Sequence, residues 1–75
     1  MAKAFVLLNA DLGAENEVLE SLKNIKEVKE AHGVYGVYDI IVLIETDTMQ
    51  ELNDLISWKI RRLDKVRGTI TMIVM

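Results

Sequence analysis

The chain predicts an α+β fold of order β-α-β-β-α-β, the ferredoxin-like plait, on three observations. Two apolar runs, Ala4 to Leu8 and Ile40 to Ile44, are short and continuous, as inner strands are. Two further stretches place apolar residues at helical spacing. The second and third strand candidates are joined by so short a connection that they form an antiparallel hairpin.

Each element follows in order. Ala4 to Leu8 is the first strand, and Asn9 to Gly13 a loop. Ala14, Val18, Leu19, Leu22 and Ile25 then mark a helix at about 14–24, with Glu15 and Glu17 near its favourable N-terminal end. Val28 to Val34 carries Lys29, Glu30 and His32, which suits an edge strand, where charge discourages unwanted pairing. Tyr35 to Tyr38 connects it to a strand over 39–45, whose Ile40–Ile44 core holds four β-branched residues and reads as buried on both faces. Thr46 to Glu51 opens the second helix, capped either by Asp47 with Gln50 or by Thr48 with Glu51. Met49, Leu52, Leu55, Ile56, Ile60 and Leu63 form its apolar stripe, and it ends near Arg62 or Leu63. Val66 to Met75 is the last strand, with Thr69 and Thr71 on one face and Ile70, Met72 and Val74 on the other.

Right-handed crossovers put both helices on one face of a four-stranded antiparallel sheet, with the first and third strands central. Those two strands are apolar on both faces, yet only one face has helices. A lone copy exposes an apolar patch on the order of several hundred Å², so a second copy is expected to pack sheet against sheet.

Composition narrows the function. Residues 1–75 are read as one small domain, and the chain has no cysteine, which excludes disulfides and thiolate metal sites. A net charge of −3 argues against a general nucleic-acid or anionic-membrane surface. Lys59, Arg61, Arg62, Lys65 and Arg67 form the densest basic group and read as a solvated helix end. The longest apolar runs are far short of a membrane span, and the apolar start is broken by Asn9 and Asp11 too early for a signal peptide, so the expected location is cytoplasmic.

The candidate ligand site is the loop before the third strand. Gly36-Val-Tyr-Asp39 reads most simply as a turn in which Gly36 supplies positive φ and Asp39 caps. The functional reading is that loop amides and Asp39 bind a zwitterion, since a carboxylate suits N–H donors and an ammonium suits acceptors. Thr69 and Thr71 are either ordinary strand formers or hydroxyls for a ligand's polar groups. His32, the only histidine, lacks partners for a metal site and belongs on a solvated or subunit-facing surface. Trp58 and Tyr38 read as partial core or interface. No Ser-His-Asp set, phosphate loop, HExxH or CxxC pair occurs, and no cofactor is expected.

Val28-x-Glu-Ala-x-Gly-Val-x-Gly-Val-Tyr-Asp-Ile-Ile-Val, the acidic helix start at Asp47, and Val66-Arg-Gly-Thr-Ile-Thr-Met-Ile-Val together cover nearly the whole chain. With them the chain resembles the effector-binding RAM domain of the Lrp/AsnC feast/famine transcription regulators, most closely the short archaeal stand-alone versions. The resemblance implies a sheet-to-sheet dimer and a ring of dimers such as an octamer. It implies a small amino-acid effector bound between dimers at Tyr35, Gly36, Tyr38, Asp39, Thr69 and Thr71. Isoleucine or leucine is the effector expected from the apolar surroundings and the family's habits. Full-length members carry an N-terminal helix-turn-helix, for which this chain has no room. Direct DNA binding is therefore not expected, and regulation would run through assembly with full-length relatives. Where many relatives have proline before the second and last strands, this chain has Lys26 and Lys65.

Two other readings compete with a non-enzymatic sensor. A small dimeric α+β barrel enzyme of monooxygenase or isomerase type would need an internal polar cavity holding His32 or Asp39 as a base. RNA binding would need exposed aromatics on the central strands and a basic sheet, and the first strand has only Phe5.

Overall fold

A computed structural model describes residues 1–75. The elements are β1 (Ala2–Ala10), α1 (Glu15–Lys23), β2 (Val28–Gly33), β3 (Ile40–Thr46), α2 (Met49–Leu55) and β4 (Val66–Ile73); α2 runs on into a π-helical stretch, Ile56–Ile60. The sheet order is β2-β3-β1-β4, with every neighbouring pair antiparallel. β1 and β3 are central, as the α+β plait requires.

Alternation builds the core. Ala4, Val6 and Leu8 of β1 and Ile40, Val42 and Ile44 of β3 are fully buried. They pack with Val18 and Leu22 of α1 and with Leu52, Leu55, Ile56 and Ile60 from the second helix. Strand side chains alternate between faces, so the residues between them turn away from the helices. Cross-strand register carries that second face over the sheet: Phe5 lies opposite Leu43 and Met72, and Leu7 opposite Ile41 and Ile70. Nothing in the chain covers it. The expectation that β3 is buried on both faces is thus corrected within one chain, where Ile41 and Leu43 are only partly buried.

Several boundaries differ from expectation. β1 runs to Ala10 rather than Leu8, because Asn9 pairs with Gly68 and Ala10 with Val66. Asn9 is polar, but it sits on the uncovered side, where polarity costs little. β4 ends at Ile73, although the Val74 amide still donates to the Lys3 carbonyl at 2.9 Å. The second helix starts with Thr48 as its cap: the Thr48 hydroxyl accepts from the Glu51 amide at 3.1 Å. The Thr46 hydroxyl donates to the Thr48 carbonyl at 2.7 Å and helps hold that cap extended. The regular turns end at Ile60, before Arg62, in a wider turn where the Arg61 amide donates to the Ile56 carbonyl at 3.0 Å.

The basic group is not wholly solvated. The Arg62 guanidinium stacks over Trp58 at 4.3 Å, and Lys65 Nζ meets Glu17 Oε2 at 2.8 Å. Lys65 adopts φ +68, a conformation closed to proline, while its carbonyl accepts from the Asp11 amide at 2.8 Å. The turn into β4 is therefore a different turn from one built on proline.

Candidate functional site

The β2–β3 connection, residues 34–39, is tied down at its base and free at its tip. The Val34 amide donates to the Asp39 carbonyl at 2.7 Å, and the Asp39 amide donates to the Leu8 carbonyl at 3.0 Å. The Asp39 carboxylate accepts from the Ala10 amide through Oδ2 at 3.3 Å, so side chain and backbone both fasten the loop to the end of β1. At the tip Gly36 takes φ +152, a region nearly restricted to glycine, with no atom near where a Cβ would stand. The amides of Tyr35, Gly36, Val37 and Tyr38 donate to no group in the chain. Tyr35 is fully exposed and Val37 nearly so, while Tyr38 and Asp39 are partly buried.

Beside the base of this loop lies a cleft of about 450 Å³, lined by Glu15, Gly33, Val34, Tyr35 and Asp39. Of the six candidate residues, Tyr35 and Asp39 line it. Gly36 and Tyr38 belong to the same loop but not to the lining. Thr69 lies opposite Leu8, which lies opposite Ile40, so Thr69 shares a cross-sheet row with the residue after Asp39. At about 4.8 Å per strand, that row sets Thr69 roughly 10 Å from Ile40. Thr71, opposite Val6, stands one row further away. Directly opposed residues share a face, so both threonines turn to the helix side with Val6 and Leu8. The Thr71 hydroxyl is buried there without a hydrogen-bond partner. The loop and the threonine pair thus line no common cleft within one chain.

The cleft contains one residue that spacing did not single out. Glu15 opens α1, where an acid is ordinary, and only the tertiary fold brings it into one cleft with Asp39. Its neighbour Glu17 is differently placed and pairs with Lys65. That pairing lifts the Lys65 pKa above its ordinary value, first through the hydrogen bond to Glu17 and then through the charges of Glu17, Asp64 and Asp11, with desolvation opposing. His32 lies on the uncovered face opposite Ile41, 3.1 Å from Glu30 Oε1. No group of three His, Cys, Asp or Glu side chains is placed to hold a metal ion, and no helix is long and apolar enough to cross a membrane.

Comparison with known proteins agrees with this architecture. The family model for the Lrp/AsnC ligand binding domain matches residues 3–75. No curated protein matches. The crystal structure of FFRP-DM1 is similar over 100% of both chains, at 47% identity and a TM-score of 0.97. A hypothetical protein from Pyrococcus horikoshii is also 47% identical, with a TM-score of 0.95, over 100% of this chain and 90% of its own. The feast or famine regulatory protein from M. tuberculosis, solved in complex with L-methionine, is 26% identical with a TM-score of 0.82; the match spans 100% of this chain and 50% of that one.

Proposed function

Because the chain belongs to the Lrp/AsnC ligand-binding domain family, a family of regulatory ligand binders rather than enzymes, we propose that it is an amino-acid-sensing module working as an oligomer. The observation that carries this reading is the β2–β3 loop, which holds both halves of a zwitterion's complement. Four loop amides lack partners, and the Asp39 carboxylate keeps one oxygen free beside the cleft. A ligand carboxylate is suited to the amides and its ammonium to the acid. The methionine complex of the M. tuberculosis relative supports the same ligand class.

The uncovered apolar sheet face supports the quaternary part of the proposal. Phe5, Leu7, Ile41, Leu43, Ile70 and Met72 make a contiguous apolar band that a second copy would bury sheet to sheet. Dimers of this kind would gather into a ring, with Tyr35, Gly36, Tyr38, Asp39, Thr69 and Thr71 facing a crevice between dimers. The exposed Tyr35 and Val37 would then be covered by a neighbouring copy or by ligand. Isoleucine or leucine is the proposed effector, and assembly with full-length relatives the proposed route to transcription.

The test is calorimetric titration against the twenty amino acids. At least one should bind, and Asp39→Ala should weaken it tenfold or more, about 1.4 kcal/mol, with the dimer intact by sedimentation. Binding by none of them at millimolar concentration would end the sensing proposal. Unchanged affinity in the Asp39 variant would move the site elsewhere.

A further inference from the structure

The cleft beside the β2–β3 loop has an uneven charge lining. Two of its five residues are carboxylates, Glu15 and Asp39, and none is Lys, Arg or His. The two acids are in different states. Asp39 already spends Oδ2 on the Ala10 amide, which fixes the loop to β1. Glu15 is partly buried, yet its carboxylate takes part in no hydrogen bond or ion pair. Glu17, two residues on and more exposed, has the Lys65 ammonium as its counter-ion. A partly buried carboxylate without a counter-ion, lining one cleft together with a second carboxylate and no cation of the protein, offers an ammonium two acidic acceptors. The partnerless loop amides supply the opposite polarity.

We propose that Glu15 is the ammonium-binding residue of the amino-acid site, with Asp39 serving first to hold the loop and only second to hold the ligand. The ligand's α-ammonium sits against Glu15 at the start of α1. Its carboxylate points to the free amides of the Tyr35–Tyr38 tip, and its side chain leaves the cleft along Tyr35. This deepens the amino-acid-sensing reading and rests on it. It also fixes the ligand's direction: the amino group faces the helix, and the side chain faces outward, where a neighbouring copy would select it.

The experiment uses the assembled protein and calorimetry with the amino acid that binds tightest among the twenty. The probe paired with it is the matching carboxylic acid that lacks the amino group. The unaltered protein should bind the amino acid and discriminate strongly against the amine-free acid. Glu15→Gln should lose tenfold or more in affinity for the amino acid and most of that discrimination, because only the ammonium contact is removed. Glu17→Gln changes the charge at the helix start equally and should leave affinity unchanged. If Glu15→Gln binds the amino acid as the unaltered protein does, or loses both ligands in equal proportion, or if Glu17→Gln has the same effect, the proposal is wrong. Should the unaltered protein bind no amino acid, the sensing reading fails and takes this one with it. Circular dichroism on each variant separates lost binding from lost fold.

Discussion

Leu7 and Leu8 are neighbours of one type on one strand, and they meet different surroundings. Leu8, with Ala4, Val6, Ile40, Val42 and Ile44, is fully buried beneath the helices. Leu7 belongs to the other face, where Phe5, Ile70 and Met72 stay 37%, 45% and 47% exposed. Apolar composition is therefore not what separates the two faces; the single helical layer is. The covered face is the fold's core. The open face has the chemistry of a core without its cover, and in the proposed assembly a second copy supplies that cover.

The largest expected effect tests that difference directly. Leu8→Ala should cost about 2–5 kcal/mol of unfolding free energy, because a packed interior collapses poorly around a lost side chain. Leu7→Ala should cost the single chain less than about 1.5 kcal/mol, with its main effect on association. Urea melts of both variants over a range of protein concentrations measure this. Equal, concentration-independent losses would erase the distinction between the faces.

A charge sharpens the comparison next. Leu43→Glu puts a carboxylate in the middle of the open face, opposite Phe5. A buried, unpaired charge is not tolerated between packed sheets. This variant should remain folded by circular dichroism and sediment as a monomer at micromolar concentration. A dimer that survives would mean that the copies meet elsewhere.

The smallest effect belongs to the Lys65–Glu17 ion pair, which lies on neither apolar face and serves as a baseline. The folded-state pKa of Lys65 is raised, so its stabilisation is fully present below the ordinary lysine value of 10.5. It is lost as pH climbs through the folded value. Lys65→Met should therefore differ slightly from the unaltered protein at neutral pH and low salt. The difference should vanish at strongly alkaline pH or in molar salt. A large, salt-insensitive loss would show that the packing of the Lys65 side chain, not its charge, is what matters there.

Much of the fold was legible because strand and helix periods are local. Ile40–Ile44 declares a buried strand by itself, and the short link from Val34 to Asp39 declares a hairpin. Thr48 was one of two possible caps for the second helix. The choice went to it when the Thr46 hydroxyl engaged its carbonyl, a contact that neither cap's spacing encodes. Val66 to Met75 gave away that Thr69 and Thr71 share a face. It could not say that this face looks toward the helices, since that depends on pairing with Val6 and Leu8. Asp39 was visible as the loop's acid, but its bond to the Ala10 amide joins residues far apart in the chain.

The order of elements, the continuous apolar runs of β1 and β3, and the places of Gly36 and Asp39 in the loop were set by the sequence alone. Each depends on residues within a few positions of one another. The tertiary structure alone decided that Glu15 and Asp39 line one cleft, that Lys65 meets Glu17, and that the threonines of β4 turn inward. Those meetings depend on register and crossover, which bring distant parts of the chain together without leaving a mark on local spacing.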